Sequence, residues 1–209
     1  FSGCSGLKAI TIPNGVTAIG ESAFNDCSGL TAISFPDGVK SIGEDAFSGC
    51  SSLKKLSIPA SVKSIGEGAF KGCSSLTAIT VDESNTKYDS KQNCNAIIDT
   101  TNKSLIAGCS TTVIPTDVTS IGNYAFSGCS GLTAITIPDS VVSIGGGAFS
   151  GCSELTAITI PDSVVGIGGE AFSGCSDLEE ITIPNSVTRI WNQTFMDCYT
   201  LKNVAIPPV

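Results

Sequence analysis

Ten cysteines are the residues of this chain with the most obvious capacity for chemistry. Evenly spaced thiols could form a ladder of disulfides or metal ligands, or they could be a row of reduced core side chains. Metal sites use convergent pairs spaced as in CxxC, which the chain lacks. Cysteine is also among the most buried residue types. We therefore expect a buried, reduced row, with no metal site and no cofactor. Eight cysteines share a 23-residue spacing: Cys4, Cys27, Cys50, Cys73, Cys129, Cys152, Cys175 and Cys198.

Catalytic residue types are otherwise scarce. Histidine is absent, which removes the commonest general base and the Ser–His and Cys–His nucleophile systems. Two adjacent carboxylate pairs, Asp82–Glu83 and Glu179–Glu180, could in principle serve glycoside chemistry. Neighbouring residues of a strand point to opposite faces, so neither pair suits a shared substrate. The sequence therefore predicts that the protein is not an enzyme.

Two cysteines, Cys94 and Cys109, lie outside the 23-residue spacing. They flank the stretch NAIIDTTNKSLIAG, which is typical of a β-hairpin. If the turn is centred on residues 101–102, Ile98 faces Leu105 and Cys94 faces Cys109. Directly opposed Cβ atoms are about 4.5–5.5 Å apart, close to the reach of a disulfide. A bond between these two cysteines is possible if the compartment is oxidising.

Phenylalanine and proline repeat with the same 23-residue period as the cysteines, so the whole chain is built from about nine similar units. The interval from Phe70 to Phe126 is longer and gives one unit about ten extra residues. A fixed period of this length indicates a stack of structural repeats, because one such unit cannot bury its apolar side chains alone. The phenylalanines in register are Phe1, Phe24, Phe47, Phe70, Phe126, Phe149, Phe172 and Phe195.

Each unit predicts the same local structure. LTAITIP alternates apolar and small residues and ends in proline, which favours a strand that stops there. VVSIG predicts a second short strand, and GAFSGCSEL places its apolar residues on one face of a short helix. Stacked units should form a parallel sheet, so we expect one α/β solenoid domain over residues 1–209. The predicted strands on that sheet are 9–12, 32–35, 55–58, 78–81, 134–137, 157–160, 180–183 and 203–206.

The pattern LxxIxIPxxVxxIGxxAFxxC resembles the leucine-rich repeats of the BspA-like family over nearly the whole chain. The resemblance implies a right-handed leucine-rich-repeat solenoid. It also implies a surface protein of the kind found in host-associated bacteria and some parasitic protists. Members are mostly proposed adhesins, so the implied function is a cell-surface or secreted module that binds a host or matrix protein. The alternative is a passive stalk that holds another domain away from the cell.

Charge and hydropathy limit the partners. The formal net charge is −8, so nucleic acid is an unfavourable partner, because binding it needs clustered cations. No apolar run approaches 18 residues, which argues against a segment that inserts into a membrane. The chain begins at Phe1, inside an AFxxC motif, and has no secretory signal. We therefore expect a fragment of a longer protein, whose oligomeric state the sequence does not predict.

Two places on this chain are candidates for binding a partner. The outward strand positions are mostly Ala, Ser and Thr, and the charged exceptions are Lys54 with Lys55 and Glu179 with Glu180. The other candidate is the insert, residues 82–111, where Tyr88 could be an amphipathic anchor. An alternative role for the insert is structural: its hairpin would complete the core through four apolar side chains. These are Ile97, Ile98, Leu105 and Ile106.

Overall fold

The regular elements are short β-strands, as the alternating pattern predicts. The structure, a computed structural model, describes residues 1–205. Within that range the helical structure is a single 3₁₀ turn, Lys91–Asn93. The strands are β1 (Ala9–Thr11), β2 (Ala18–Ile19), β3 (Ala32–Ser34), β4 (Ser41–Ile42), β5 (Lys55–Ile58), β6 (Ser64–Ile65), β7 (Ala78–Val81), β8 (Tyr88–Asp89), β9 (Ile97–Asp99), β10 (Ser104–Ala107), β11 (Ser120–Ile121), β12 (Ala134–Thr136), β13 (Ser143–Ile144), β14 (Ala157–Thr159), β15 (Gly166–Ile167), β16 (Glu180–Thr182) and β17 (Asn203–Ala205).

Eight strands form what we call the front row: β1, β3, β5, β7, β12, β14, β16 and β17. Paired strands run parallel with a register of 23 residues, so that Ile135 lies beside Ile158 and Ile158 beside Ile181. Side chains alternate along each strand, which buries the isoleucines and exposes the Ala, Ser and Thr residues between them. The predicted strands are confirmed to within one residue. Ile206, predicted to end the last strand, lies outside the described residues.

The prediction of one continuous sheet is wrong. The front row is divided into the sheets β1–β3, β5–β7 and β12–β14–β16–β17. Between β3 and β5 the bond from the Lys54 amide to the Thr31 carbonyl lengthens to 3.4 Å. Between β7 and β12 the long unit supplies residues 111–114, which alternate exposed and buried like a strand. Thr111 Oγ1 donates to the Thr77 carbonyl at 2.8 Å, so the stack continues there without a regular ladder.

The Val-x-x-Ile segments form a second, parallel row, as predicted. It consists of β2, β4 and β6 in the N-terminal half and β11, β13 and β15 in the C-terminal half, with Ile121 beside Ile144 and Ile144 beside Ile167. The insert supplies the strands between the halves, because β8, β9 and β10 extend the C-terminal sheet in the order β8-β9-β10-β11-β13-β15. The insert is thus part of the stack.

The AFxxC segments do not form the predicted helices. They are chains of turns in which the Cys152 amide bonds to the Phe149 carbonyl at 3.1 Å. Gly147 and Gly151 have φ of 57° and 73°, a conformation that interrupts a right-handed helix. The Phe149 amide donates instead to Ala171 of the next unit at 2.8 Å. The fold is therefore an all-β solenoid and not the predicted α/β one.

Identical core residues of neighbouring units lie directly over one another. Phe149 is fully buried, and its ring stacks on Phe126 at 5.1 Å and on Phe172 at 5.4 Å between centroids. The thiols continue this arrangement, because Cys152 Sγ donates to the Phe126 carbonyl at 3.2 Å and Cys175 Sγ to the Phe149 carbonyl at 3.2 Å. Each unit therefore places its apolar side chains on those of the preceding unit.

The insert hairpin β9–β10 lies between two separate hydrophobic cores. Ile98 and Leu105, which oppose each other, pack into the core of the C-terminal half. Ile97 and Ala107, also opposed, pack into the core of the N-terminal half, and Ile106 contacts the same side. This outcome confirms the structural interpretation of the insert. The hairpin is a septum, meaning a two-sided partition whose faces are both buried.

Gly108 shows how the septum joins the stack. Its amide donates to the Ala125 carbonyl at 2.7 Å, the same bond that the Phe126 amide makes to Ala148. Gly108 therefore holds the place of phenylalanine in the long unit. A Cβ atom at this glycine would overlap the ring of Phe126, so only glycine lets that ring lie flat against the septum.

Candidate interaction surfaces

The exposed side of the front row, which we call the front face, is a regular surface of small side chains. Most of its outward side chains are Ala, Ser or Thr, and they repeat at the same positions from strand to strand. Threonine hydroxyls continue the inter-unit bonding at its edge, as Thr156 Oγ1 donates to the Thr133 carbonyl at 3.4 Å. Small side chains leave this face open to close approach by another backbone or surface.

The predicted charged residues lie on the front face but not near one another. Lys54 and Lys55 are exposed in the third unit, and Glu179 and Glu180 are exposed in the eighth. Five steps of the stack separate the pairs, or about 24 Å at ~4.8 Å per strand. Glu179 forms an ion pair with Lys202 at 3.6 Å, with both side chains more than half exposed. Such an exposed pair contributes little stability.

Tyr88 is not an exposed anchor, so that part of the predicted site is wrong. Its side chain is 4% exposed and packs in the N-terminal core. Its hydroxyl accepts a hydrogen bond from the Ile65 amide at 3.0 Å, which satisfies the open edge of β6 where the regular next strand is missing. Burial raises the pKa of the phenol. The sequence did not predict that Tyr88 is buried, because polar residues surround it and tyrosine is common both in interfaces and in partly polar cores.

Asn85 caps the N-terminal half in a similar way. In regular units a serine after the proline donates to a valine carbonyl of the preceding unit, as Ser163 Oγ does to Val141 at 2.7 Å. Asn85 Nδ2 makes the equivalent bond to Val62 at 3.0 Å, and Oδ1 accepts the Lys87 and Tyr88 amides at 2.9 Å. The insert thus preserves the hydrogen bonding of the stack with different side chains.

Asp99 organises the tip of the hairpin. It is 6% exposed, and Oδ1 accepts the Thr101 amide at 2.9 Å and the Asn102 amide at 3.2 Å. Lys87 Nζ lies 2.8 Å from Oδ2 and 3.0 Å from Oδ1. Burial opposes ionisation, but the hydrogen bonds from Lys87 and the two amides outweigh it and lower the pKa of Asp99. Sequence reasoning missed this residue, although an Asp that precedes a polar turn is a recognisable signal.

A groove follows the edge of the solenoid where the insert begins. Its widest part has a volume of about 660 Å³, and adjoining cavities of about 470 Å³ and 260 Å³ share its lining residues on either side. Among the charged groups that line it, carboxylates outnumber amines, and Lys91 is already paired with Asp89 at 3.0 Å. The groove therefore has an acidic character. Its charged residues are Asp37, Asp82, Glu83, Asp89, Asp117, Lys91 and Lys103.

Cys94 and Cys109 are free thiols that face different cores. The predicted pairing of Ile98 with Leu105 is confirmed, but a bulge after Leu105 shifts the register so that Ala107 pairs with Ile97. The bulge reverses the alternation of side chains beyond it. Cys94 consequently packs in the C-terminal core and Cys109 in the N-terminal core, and neither is bonded. The sequence could not reveal the extra residue of the bulge.

The buried periodic thiols should resist modification in the folded protein. Burial raises the pKa of Cys50, Cys129 and Cys175 to about 12, so their reactive thiolate forms are scarce even at alkaline pH. We expect iodoacetamide to label exposed Cys4 within minutes and half-buried Cys198 more slowly. The eight buried cysteines should be labelled only in denaturant, as measured by peptide mass spectrometry. Rapid labelling of Cys50 in native protein, or a cross-link between neighbouring units, would contradict the buried reduced row.

The stacked parallel strands and the 23-residue register are those of a β-solenoid of the leucine-rich-repeat class. The sequence pattern of the BspA type leucine rich repeat region, in six copies, matches residues 1–105 and 100–209. The chain therefore belongs to the BspA-type leucine-rich repeat family.

Solved structures of bacterial proteins share this fold. A leucine rich cell surface protein from Faecalibacterium prausnitzii is 34% identical over 97% of this chain and 60% of its own, with a TM-score of 0.75. A leucine-rich repeat protein from Bacteroides ovatus is 32% identical over 98% of this chain and 56% of its own, with a TM-score of 0.59. The pneumococcal vaccine antigen PcpA is 23% identical over 95% of this chain and 56% of its own, with a TM-score of 0.76, and supports the fold alone.

The chain thus spans about 60% or less of the length of these similar proteins. No curated protein is detectably similar to it in sequence. Within the described residues, no helix has the length and apolar character needed to cross a bilayer. Together, the repeat family and the fold of bacterial surface proteins indicate a protein-interaction module.

Proposed function

We propose that this chain is the protein-binding part of a cell-surface or secreted adhesin and has no enzymatic activity. In this proposal it holds a basic segment of a host or matrix protein in the groove beside the insert. The observation that carries the proposal is the groove itself, which lies where the insert interrupts the regular units and whose charged lining residues are mainly carboxylates. A recess in which one sign of charge predominates concentrates partners of the opposite sign and orients them.

The geometry also supports an extended partner. The widest cavity and its neighbour of about 470 Å³ share Thr80, Val81, Asp82 and Glu83, so the groove crosses several units along the turn edge. Backbone and side-chain acceptors line it together with the carboxylates. An extended segment rich in Lys or Arg could therefore contact several carboxylates at once, which gives charge-assisted hydrogen bonds their strength.

The proposal can be tested with a variant in which three carboxylates of the groove are replaced by neutral amides. Asp37, Asp82 and Glu83 are exposed and line the same cavity, so the variant Asp37→Asn/Asp82→Asn/Glu83→Gln should fold normally. We expect its binding to a panel of purified extracellular-matrix proteins and to cultured epithelial cells to fall by about tenfold, on the order of 1.4 kcal/mol.

Asp139 and Asp162 provide a matched control, because they are exposed at the equivalent turn position of regular units away from the groove. The variant Asp139→Asn/Asp162→Asn removes the same type of charge and should bind like the parent. Equal binding by the parent, the neutralised groove and this control would contradict the groove as the site.

The second candidate function is the passive stalk. It is favoured by the mostly Ala, Ser and Thr front face and by the regular 23-residue register of the strands in the C-terminal half. A stalk needs regular spacing and stiffness but no recess. If neither the parent nor any variant binds the panel or the cells, the stalk becomes the better interpretation.

A further inference from the structure

Charge is distributed unevenly along the solenoid. Residues 1–105 contain nine Lys or Arg and ten Asp or Glu, whereas residues 106–209 contain two and nine. The N-terminal half is thus nearly neutral, and the C-terminal half is strongly acidic. On the front face, Lys8, Lys54 and Lys55 lie in the first three units and Glu179 and Glu180 in the eighth, while Lys202 in the ninth unit is paired with Glu179.

The two charged pairs occupy equivalent positions within their units. Lys54 and Glu179 each follow the buried leucine that begins the motif, and Lys55 and Glu180 each take the next position on the strand. In regular units these positions hold Thr and Ala. The pairs therefore lie in the same two columns, with Lys55 and Glu180 on the strands of the front face and Lys54 and Glu179 at its edge, separated by five steps along the stacking axis.

This pattern is complementary to itself under a two-fold rotation. An axis that lies in the plane of the interface, parallel to the strands and between the fifth and sixth units, reverses the order of the units. Each column of one copy then lies opposite the same column of the other copy. The third unit of one copy therefore faces the eighth unit of the other. Glu179 then faces Lys54 of the second copy and Glu180 faces its Lys55, twice in the dimer.

We propose that the front face binds a second copy of this chain in this antiparallel arrangement. The small side chains between the charged pairs permit close approach. Val113, which is 69% exposed in the fifth unit, lies next to the two-fold axis and would be covered there. Exposure of this apolar side chain to water costs free energy in the monomer. Its burial in the dimer would therefore stabilise the contact.

The extent of the face sets the strength of the contact. Units 2–9 of the two copies overlap, and eight units of ~4.8 Å by four residues of ~3.3 Å give a projected area on the order of 500 Å² per copy. Interfaces of this size belong to weak, transient associations. Exposed ion pairs add little affinity, but like charges placed opposite each other oppose association strongly. The dimer should therefore form at high micromolar concentration and low salt and weaken as salt screens the charges.

Charge reversal tests the arrangement by sedimentation velocity. The variant Lys54→Glu/Lys55→Glu places carboxylates opposite carboxylates, and Glu179→Lys/Glu180→Lys places ammonium groups opposite ammonium groups. We expect each variant alone to be monomeric under conditions in which the parent dimerises. An equimolar mixture should dimerise again, because each reversed pair then meets the opposite sign in its partner.

A matched control keeps the same change in net charge off the front face. Lys40 and Lys63 are exposed elsewhere on the N-terminal half, so Lys40→Glu/Lys63→Glu should dimerise like the parent. Circular dichroism establishes that all variants are folded. The proposal is overturned if the parent stays monomeric at the highest concentration, if the reversed variants dimerise alone, or if their mixture stays monomeric.

Discussion

Replacing Phe149 by alanine should lower the free energy of unfolding by about 4 kcal/mol, the largest loss we expect from a single substitution. The side chain is fully buried, and both faces of its ring are covered by the rings of Phe126 and Phe172. Its removal leaves a cavity that neighbouring units cannot fill, because each is held in register by its own backbone bonds. Urea denaturation followed by circular dichroism measures the effect.

Phe1→Ala is the matched control for this prediction. Phe1 belongs to the same series of rings, but it is 66% exposed and stacks on Phe24 alone at 5.3 Å. We expect its loss to cost less than about 1 kcal/mol, in the range of surface substitutions. Similar losses for the two variants would mean that the stacked rings do not stabilise the solenoid through burial.

Asp99→Ala should cost about 3 kcal/mol, the second largest expected effect. The substitution removes the charged acceptor for two hairpin amides and for Lys87, so these donors lose their protein partner and must be solvated by water at the exposed hairpin tip. Lys87 is 30% exposed, so its ammonium group can reach water, which keeps the loss below that of a fully buried pair. Asp139→Ala, at an exposed turn, should change stability by less than about 0.5 kcal/mol in the same denaturation experiment.

Asp99 should also give the hairpin a characteristic response to acid. Its pKa is lower in the folded protein than the unfolded value of ~3.9, so its contribution is complete above that value. The contribution is lost as the pH falls through the folded pKa. The difference in stability between the parent and Asp99→Asn should therefore be constant near neutrality and shrink below about pH 4. A difference that persists undiminished in acid would show that the carboxylate charge is not its source.

The sequence predicted the elements that depend on side-chain period. The 23-residue register of Phe, Cys and Pro located the front row to within one residue, because position in the unit decides burial. It also placed the hairpin and its central pair, Ile98 with Leu105, correctly. The exposure of Lys55 and Glu180 followed from the same alternation.

The errors arose where backbone conformation decides the outcome. AFSGCS has helical spacing of apolar residues, but Gly147 and Gly151 adopt positive φ and direct the amides to the next unit. The bulge beside Ala107 is invisible in a sequence whose two strands are both apolar. The prediction that Tyr88 is exposed was wrong because the tyrosine hydroxyl satisfies the open edge of β6. That open edge arises from the stacking of distant units, so the residues next to Tyr88 in the sequence do not reveal it.

The septum has a consequence for cooperativity. In a uniform stack each unit is coupled to the next by the same interface, so order spreads from any nucleus at a constant free energy per step. Here the chain contains one step of a different kind. Ile97 and Ala107 belong to one core and Ile98 and Leu105 to the other, so the hairpin gains its full burial only when both halves are folded. Through the hairpin, the folding of each half therefore stabilises the folded state of the other.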